Sequence, residues 1–351
     1  MELAAALAAQ AVAVRARLAQ AVGVRARLAK LSSRRIVALV AGELVVALVA
    51  AVAGVAVIHG STGPGWIRMV AVGDMACDPH DPEFLAHSES DGDHCRQDDV
   101  SLIAVQLTPD LLLGLGDYQY ELPTAAAYRD VYGPSWGRLR GVTVPVFGNQ
   151  EYKVHDANTF VDYFGDRIPD RRGYWSIDAG DWHLVVLNSN CASVVGGCAQ
   201  GSPQQQWLEA DLSHTKRRCV LAAWHHPRWS TGIAGPDERT KDLFATLYDH
   251  GVELVLSGHE ADYERFGPLD STGKADDRGV RQFVVGTGGQ AHYEPAPADS
   301  PWRATTTAPT SEFADYGHHG VLELELGPDQ WQWRFHPLGA DVTDHGAAHC
   351  H

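Results

Sequence analysis

Five short apolar runs in this chain each end in a side chain able to bind a cation. IRMVAVGD (67–74) ends at Asp74, LLLGLGD (111–117) at Asp117, and VTVPVFGNQE (142–151) carries Asn149. CVLAAWHH (219–226) carries His225, and VELVLSGHE (252–260) carries His259. Alone, each has an ordinary explanation: Gly-Asp is a common turn, Asn a common cap, and His-Pro a common loop start. Five in succession, all at the ends of apolar runs, would bring carboxylate, amide and imidazole ligands to one rim and form a shared metal centre.

The elements that must hold such a rim are buried strands. The five runs, together with HLVVLNSN (183–190) and QFVVGTGG (282–289), read as buried strands, and VLELEL (321–326) and WQWRF (331–335) as two alternating strands near the end. Helical patterns lie between them. The clearest has Ser202 as N-cap and Pro203 in the first turn, and another spans about 240–250. The expected fold is α/β: a layered α-β-β-α sandwich of two mixed sheets flanked by helices, preceded by an N-terminal membrane helix. One domain is expected over 66–340, with a frayed tail over 341–351. The long loops 76–98, 190–202 and 287–318 would wall the site.

The 351 residues, 45 % hydrophobic and 21 % charged, exclude disorder, and the net charge of −16 is uneven. Residues 1–35 carry +6 and form a basic cytoplasmic leader, which leaves −22 on the rest and argues against nucleic acid as a partner. Residues 36–58 are apolar except for Glu43, long enough to cross a bilayer. The positive-inside rule then makes the chain single-pass, with its C-terminal domain extracytoplasmic at the cell membrane. The same segment also reads as an export signal, Ser33-Arg34-Arg35-Ile36 resembling a twin-arginine motif, and cleavage would leave a secreted protein. Cys77 with Cys95, and Cys191 with Cys198, are disulfide candidates suited to an oxidising compartment. Cys219 reads as part of a core strand and Cys350 as part of the frayed tail.

GDM (73–75), GDYQY (116–120), GNQE (148–151), HHP (225–227) and GHEADYER (258–265) together resemble the five blocks of the calcineurin-like metallophosphoesterases, in their purple acid phosphatase branch. The resemblance covers about 66–340. It implies two metal ions bridged by Asp117. Asp74 and Tyr120 would bind the first, Fe3+; Asn149, His225 and His259 would bind the second, Fe2+, Zn2+ or Mn2+. Carboxylate and phenolate oxygens suit a trivalent ion, imidazole and amide a divalent one. The implied reaction is hydrolysis of small-molecule phosphate esters by a hydroxide bound to the dinuclear centre, with Asp117, Asn149, Gln150 and His225 as the catalytic set.

Two positions depart from that pattern. The third block has Gln150 where the family has a His that lines the phosphate site, and Gln cannot donate a proton near neutrality. The fifth has Ala261 where the family has a second metal-binding His. Asp262, His80 and His94 are candidates to fill that gap. The expected result is a phosphoric ester hydrolase with a weakened first site. The alternative is a catalytically weak or inactive relative that binds a metal, phosphate or a cell-surface partner. Tyr263, Glu264 and Arg265 read as structural; Trp224, Trp229 and Tyr152 flank the expected pocket, where a stacking platform for substrate is one reading and aromatic core walls the commoner one. A nucleophile elbow, Walker loop or dinucleotide fingerprint is absent from the sequence.

Overall fold

A computed structural model describes residues 65–86, 94–300, 309–341 and 344–351. The leader over 1–35 and the apolar segment over 36–58 lie outside these residues. No helix among the described residues is long and apolar enough to cross a membrane.

Thirteen strands among the described residues form two sheets. In chain order they are β1 (Ile67–Val72), β2 (Leu111–Gly114), β3 (Thr143–Pro145), β4 (Trp175–Ala179), β5 (Trp182–Val186), β6 (Cys219–Ala223), β7 (Leu254–Ser257), β8 (Tyr263–Leu269), β9 (Val280–Val285), β10 (Phe313–Asp315), β11 (Gly320–Leu326), β12 (Gln330–Pro337) and β13 (His345–His349). The first sheet runs β13-β12-β11-β1-β2-β3 and the second β10-β8-β9-β7-β6-β5-β4. Strands β1, β2 and β3 are parallel, as are β5, β6, β7 and β9. The five ligand-bearing runs all belong to these parallel groups, so their C-terminal ends share one edge of each sheet.

The second sheet shows why its strands read as unbroken apolar runs. Trp182, Leu184, Val186, Leu221, Ala223, Leu254, Leu256, Phe283 and Val285 face a core shared with Met69, Ala71, Leu322 and Leu324 of the first sheet. The alternate residues Val185, Val220, Ala222, Val255 and Val284 join a second core with Leu208, Leu212, Leu243, Phe244 and Leu247. Those last five lie on the two helices that cover the sheet, Pro203–His214 and Lys241–Asp249. Period-two alternation between two apolar environments leaves no polar face to be seen in the sequence. The first of these helices opens as expected, with the Ser202 side chain accepting a hydrogen bond from Gln205 N and Pro203 in the first turn. Helix Gln97–Leu107 adds Val100 and Ala104 to the shared core.

The end of the chain corrects one expectation. Residues 341–351 do not form a frayed tail: β13 pairs antiparallel with β12, and Cys350 is bonded to Cys219 at the start of β6. His345 and His349 therefore lie in an edge strand. Cys77–Cys95 and Cys191–Cys198 are also disulfides, and among the described residues no cysteine is free.

Candidate metal centre

Asp74 and Asp117 follow β1 and β2 directly and both adopt left-handed backbone, φ 57° and 54°; His259, after β7, does the same at φ 73°. That conformation is uncommon for residues with a Cβ, and here it turns each side chain out of its strand toward the same point. Tight packing of the loop backbones holds the three strand ends together. A Cβ at Gly116 would lie 2.6 Å from His225 Nδ1 and 2.8 Å from Gly148 Cα, so glycine lets the second and third loops approach the histidine.

The gathered atoms fall into two groups around Asp117. On one side, Tyr120 donates its hydroxyl to Asp74 Oδ1 at 2.6 Å and to Asp117 Oδ2 at 2.9 Å. On the other, His225 Nε2 lies 3.3 Å from Asp117 Oδ2, 3.1 Å from Asn149 Oδ1 and 3.3 Å from His259 Nδ1. His225 is oriented by a 2.8 Å contact between Nδ1 and the Leu115 carbonyl oxygen. His259 N donates to Asp74 Oδ2 at 2.7 Å, linking the two groups. Asp74, Asp117 and His225 are all buried.

Burial and crowding shift these groups strongly. Burial raises the Asp74 carboxyl to about 7, with Asp117 also raising it and His225 opposing. Burial alone would depress His225, but Asp117 and then Asp74 outweigh it and lift the imidazole to about 9. Burial, and then His225, hold His259 down at about 4. The two carboxylates oppose one another's ionisation and the two imidazoles one another's protonation, while the carboxylates favour charge on His225.

The donor set answers whether cations fit. Two donors bound to one ion at about 2.0–2.1 Å sit roughly 2.8–3.4 Å apart, from octahedral to tetrahedral arrangements. The 3.1–3.3 Å separations around His225 Nε2 match such edges. The oxygen-rich side offers only Asp74, Asp117 and Tyr120. Ala261 is buried and adds no donor. Asp262 does not join the clusters of His, Cys, Asp and Glu able to share an ion: among the described residues these are Asp74, Asp117 and His225, and His225, His226 and His259. His80 is almost fully exposed and turned to Asp78, and His94 is exposed, its N–H donating to Glu83.

Gln150 sits at the rim, its N–H donating to Asp117 Oδ1 at 2.8 Å, with its side-chain oxygen buried and unpartnered. Sequence reasoning missed its neighbour Glu151. This fully buried carboxylate accepts N–H groups from Asp117 (2.9 Å), Tyr118 (3.0 Å) and Gly148 (2.7 Å), tying the second and third loops together. Tyr293 was also missed. Its N–H meets the Ala261 carbonyl at 3.1 Å, and burial followed by Asp74, Glu260 and Asp117 raises its hydroxyl to about 12. The loop carrying it is fixed by the Cys77–Cys95 pair, since Cys95 N donates to Gln290 O and Arg96 N to Gly289 O.

The remaining aromatic and charged candidates are structural. Trp224 and Trp229 pack in the helix-facing core, and the Tyr152 hydroxyl accepts a hydrogen bond from Asn188 Nδ2 at 2.7 Å. Tyr263 stacks on Phe335, with ring centroids 4.0 Å apart, and Arg265 pairs with Asp344.

Oxygen and nitrogen side chains able to bind a cation thus converge at the ends of parallel strands from two sheets. The calcineurin-like phosphoesterase family profile matches residues 67–263, more than half of the sequence, and the chain belongs to that family. Its curated relatives include purple acid phosphatases. Purple acid phosphatase 22 of Arabidopsis thaliana is 25 % identical over 62 % of this chain and 54 % of its own length. Purple acid phosphatase 21 of the same plant is 27 % identical over 60 % and 52 %. The chain thus spans about half the length of the curated relatives it matches. Among solved structures, a purple acid phosphatase from yellow lupin seeds superposes with a TM-score of 0.61 at 19 % identity, over 82 % of this chain and 55 % of that one. GAP50, the anchor in the inner membrane complex of Plasmodium, superposes at 0.58 with 12 % identity, over 82 % and 89 %.

Proposed function

We propose that this chain is a metal-dependent phosphoester hydrolase of the acid phosphatase type, acting on small phosphate esters, with its first metal position weakened by Ala261. The observation that carries the reading is the convergence of Asp74, Asp117, Asn149, His225 and His259 on one rim. Asp117 would be shared between two ions, Asp74 and Tyr120 would hold the first, and Asn149, His225 and His259 the second. When bound, such a pair of ions supplies Lewis acidity for a phosphoryl oxygen and lowers the pKa of water.

The protein's own groups divide the remaining work. Gln150 N–H and the Glu151 carboxylate fix the Asp117 loop, and the Gln150 amide is a hydrogen-bond donor for phosphate. Gln150 cannot protonate a leaving group, so the reading favours esters whose leaving group departs unaided, such as aryl phosphates. Three disulfides support an oxidising, extracytoplasmic setting for the domain. Attachment through residues 36–58, or export by way of them, belongs to the same reading.

Gln150 and Ala261 together favour a second reading, a binding module that keeps the fold without turnover. The two readings separate on one preparation. Metal content by mass spectrometry, followed by aryl phosphate hydrolysis in the wild type and in Asp117→Asn, is the test. Metal-dependent hydrolysis abolished in Asp117→Asn supports the enzyme; bound metal with no hydrolysis in the wild type supports the binding module.

A further inference from the structure

His226, adjacent to the second-ion position, is used by neither the fold nor the reading above. It is 4 % exposed, and its ring centroid lies 4.4 Å from that of His259 and 4.9 Å from that of His225. The three side chains each offer a ring nitrogen, and those nitrogens lie within 4.8 Å of one another. His226 Nδ1 is 2.8 Å from Ser189 Oγ, and the same hydroxyl accepts His226 N–H at 2.9 Å. Among the described residues the other ring nitrogen makes no hydrogen bond.

We infer that His226 is a third imidazole ligand of the second ion, completing with His225 and His259 a three-histidine site that selects zinc. The inference rests on the metallophosphoesterase reading. Its physical basis is the fate of a buried imidazole. Ser189 can hold Nδ1 and fix the ring orientation, which leaves Nε2 with a lone pair open to a cation at the rim. A ring nitrogen from each of the three histidines lies within 4.8 Å of the others, and three imidazoles gathered this closely are matched by a cation of borderline softness. A donor set rich in imidazole suits zinc, whereas hard trivalent ions prefer oxygen. His226 thus enriches the nitrogen side of the centre in the same chain in which Ala261 impoverishes the oxygen side.

The first measurement needs no variant. The full chain is loaded with one equivalent of zinc and the imidazoles around the ion are counted by X-ray absorption fine structure. Three support the inference; two overturn it. The second compares zinc affinity by chelator competition in wild type, His226→Asn and His225→Asn. A fall of at least about tenfold in His226→Asn, alongside a fall in His225→Asn, supports the ligand role. Unchanged affinity in His226→Asn with loss in His225→Asn overturns the inference and leaves the metal centre standing. Unchanged zinc affinity with weakened inorganic phosphate binding also overturns it, since the ring would then be a phosphate contact. A wild type that binds no zinc overturns the inference and the reading beneath it. Should His226→Asn fail to fold, the imidazole count on the wild type decides.

Discussion

Tyr263, on the second sheet, donates its hydroxyl at 2.7 Å to Asp344, which leads into the edge strand of the first. The same carboxylate accepts from Trp333 Nε1 at 3.1 Å and pairs with Arg265 Nε at 2.9 Å. Asp344 is 4 % exposed, so its removal strands three donors at once. Asp344→Ala is expected to cost about 3–5 kcal/mol, the range for breaking a buried charge pair, and Tyr263→Phe only about 1 kcal/mol. Urea unfolding of both variants checks the ratio; equal losses would mean that the hydroxyl, not the guanidinium, dominates.

Glu151 gives a sharper contrast between size and charge. Glu151→Ala leaves the N–H groups of Asp117, Tyr118 and Gly148 without an acceptor and is expected to destabilise by about 3 kcal/mol or more. Because those N–H groups fix Asp117, metal binding should weaken as well. Glu151→Gln, which keeps an acceptor oxygen, should retain most of the stability. Calorimetric unfolding and metal content, measured together, test this.

Ala261→His restores a nitrogen donor at the oxygen-rich position and is expected to raise bound metal per chain, read by mass spectrometry. Gln150→His is expected to raise turnover of esters with poor leaving groups by roughly 10²–10⁴ and to change aryl phosphate turnover far less. No gain with poor leaving groups at saturating metal would remove the leaving-group argument.

His183 bridges Asp178 and Asp211, its ring nitrogens 2.8 Å from each. Burial opposes charge on this ring, but the hydrogen bonds to Asp211 and Asp178 outweigh it and raise the imidazole above its usual range. A raised folded pKa means that the stabilisation is complete below about pH 6.5 and is lost as pH rises through the folded value. His183→Phe should therefore be less stable than wild type by roughly 1 kcal/mol at pH 6, the figure being discounted because Asp178 is half exposed, and the gap should close at pH 9. Denaturant midpoints across that window decide.

Asp262 makes the opposite bargain with solvent. Both its oxygens are buried without partners, and burial, then Glu264, Glu260, Asp74 and Asp315, push its carboxyl well above the usual range. Its protonated form fits the fold, so stability is greatest at acid pH and falls as pH climbs from about 4 toward the folded value. Asp262→Asn should be neutral at pH 4 and stabilising by on the order of 1–3 kcal/mol at pH 8. A constant difference between the two pH values would show that shape, not ionisation, is what matters.

The gathering of Asp74, Asp117, Asn149, His225 and His259 was legible in the sequence because each follows a parallel strand. A strand covered on both faces shows as an unbroken apolar run, and the first polar residue after it must emerge at the sheet edge. Strand β13 left no such trace: HGAAH has no apolar pattern, and its place is set by pairing to β12 and by the bond from Cys350 to Cys219. Strand β8 was hidden by its charges, since Glu264 and Arg265 are satisfied by Thr231 and Asp344 rather than by water. The linking role of Glu151 depends on N–H groups up to 34 residues away, and the surroundings of His226 include a ring 33 residues further along the chain. Local pattern carries neither.

The Cys219–Cys350 bond spans 131 residues, and both His225 and His259 lie within that span. A single proteolytic nick anywhere between the two cysteines would leave one covalent molecule, its fragments separating only under reduction. Loops in this stretch can thus be cut without releasing either histidine from the protein, a tolerance suited to surroundings where proteases are abundant.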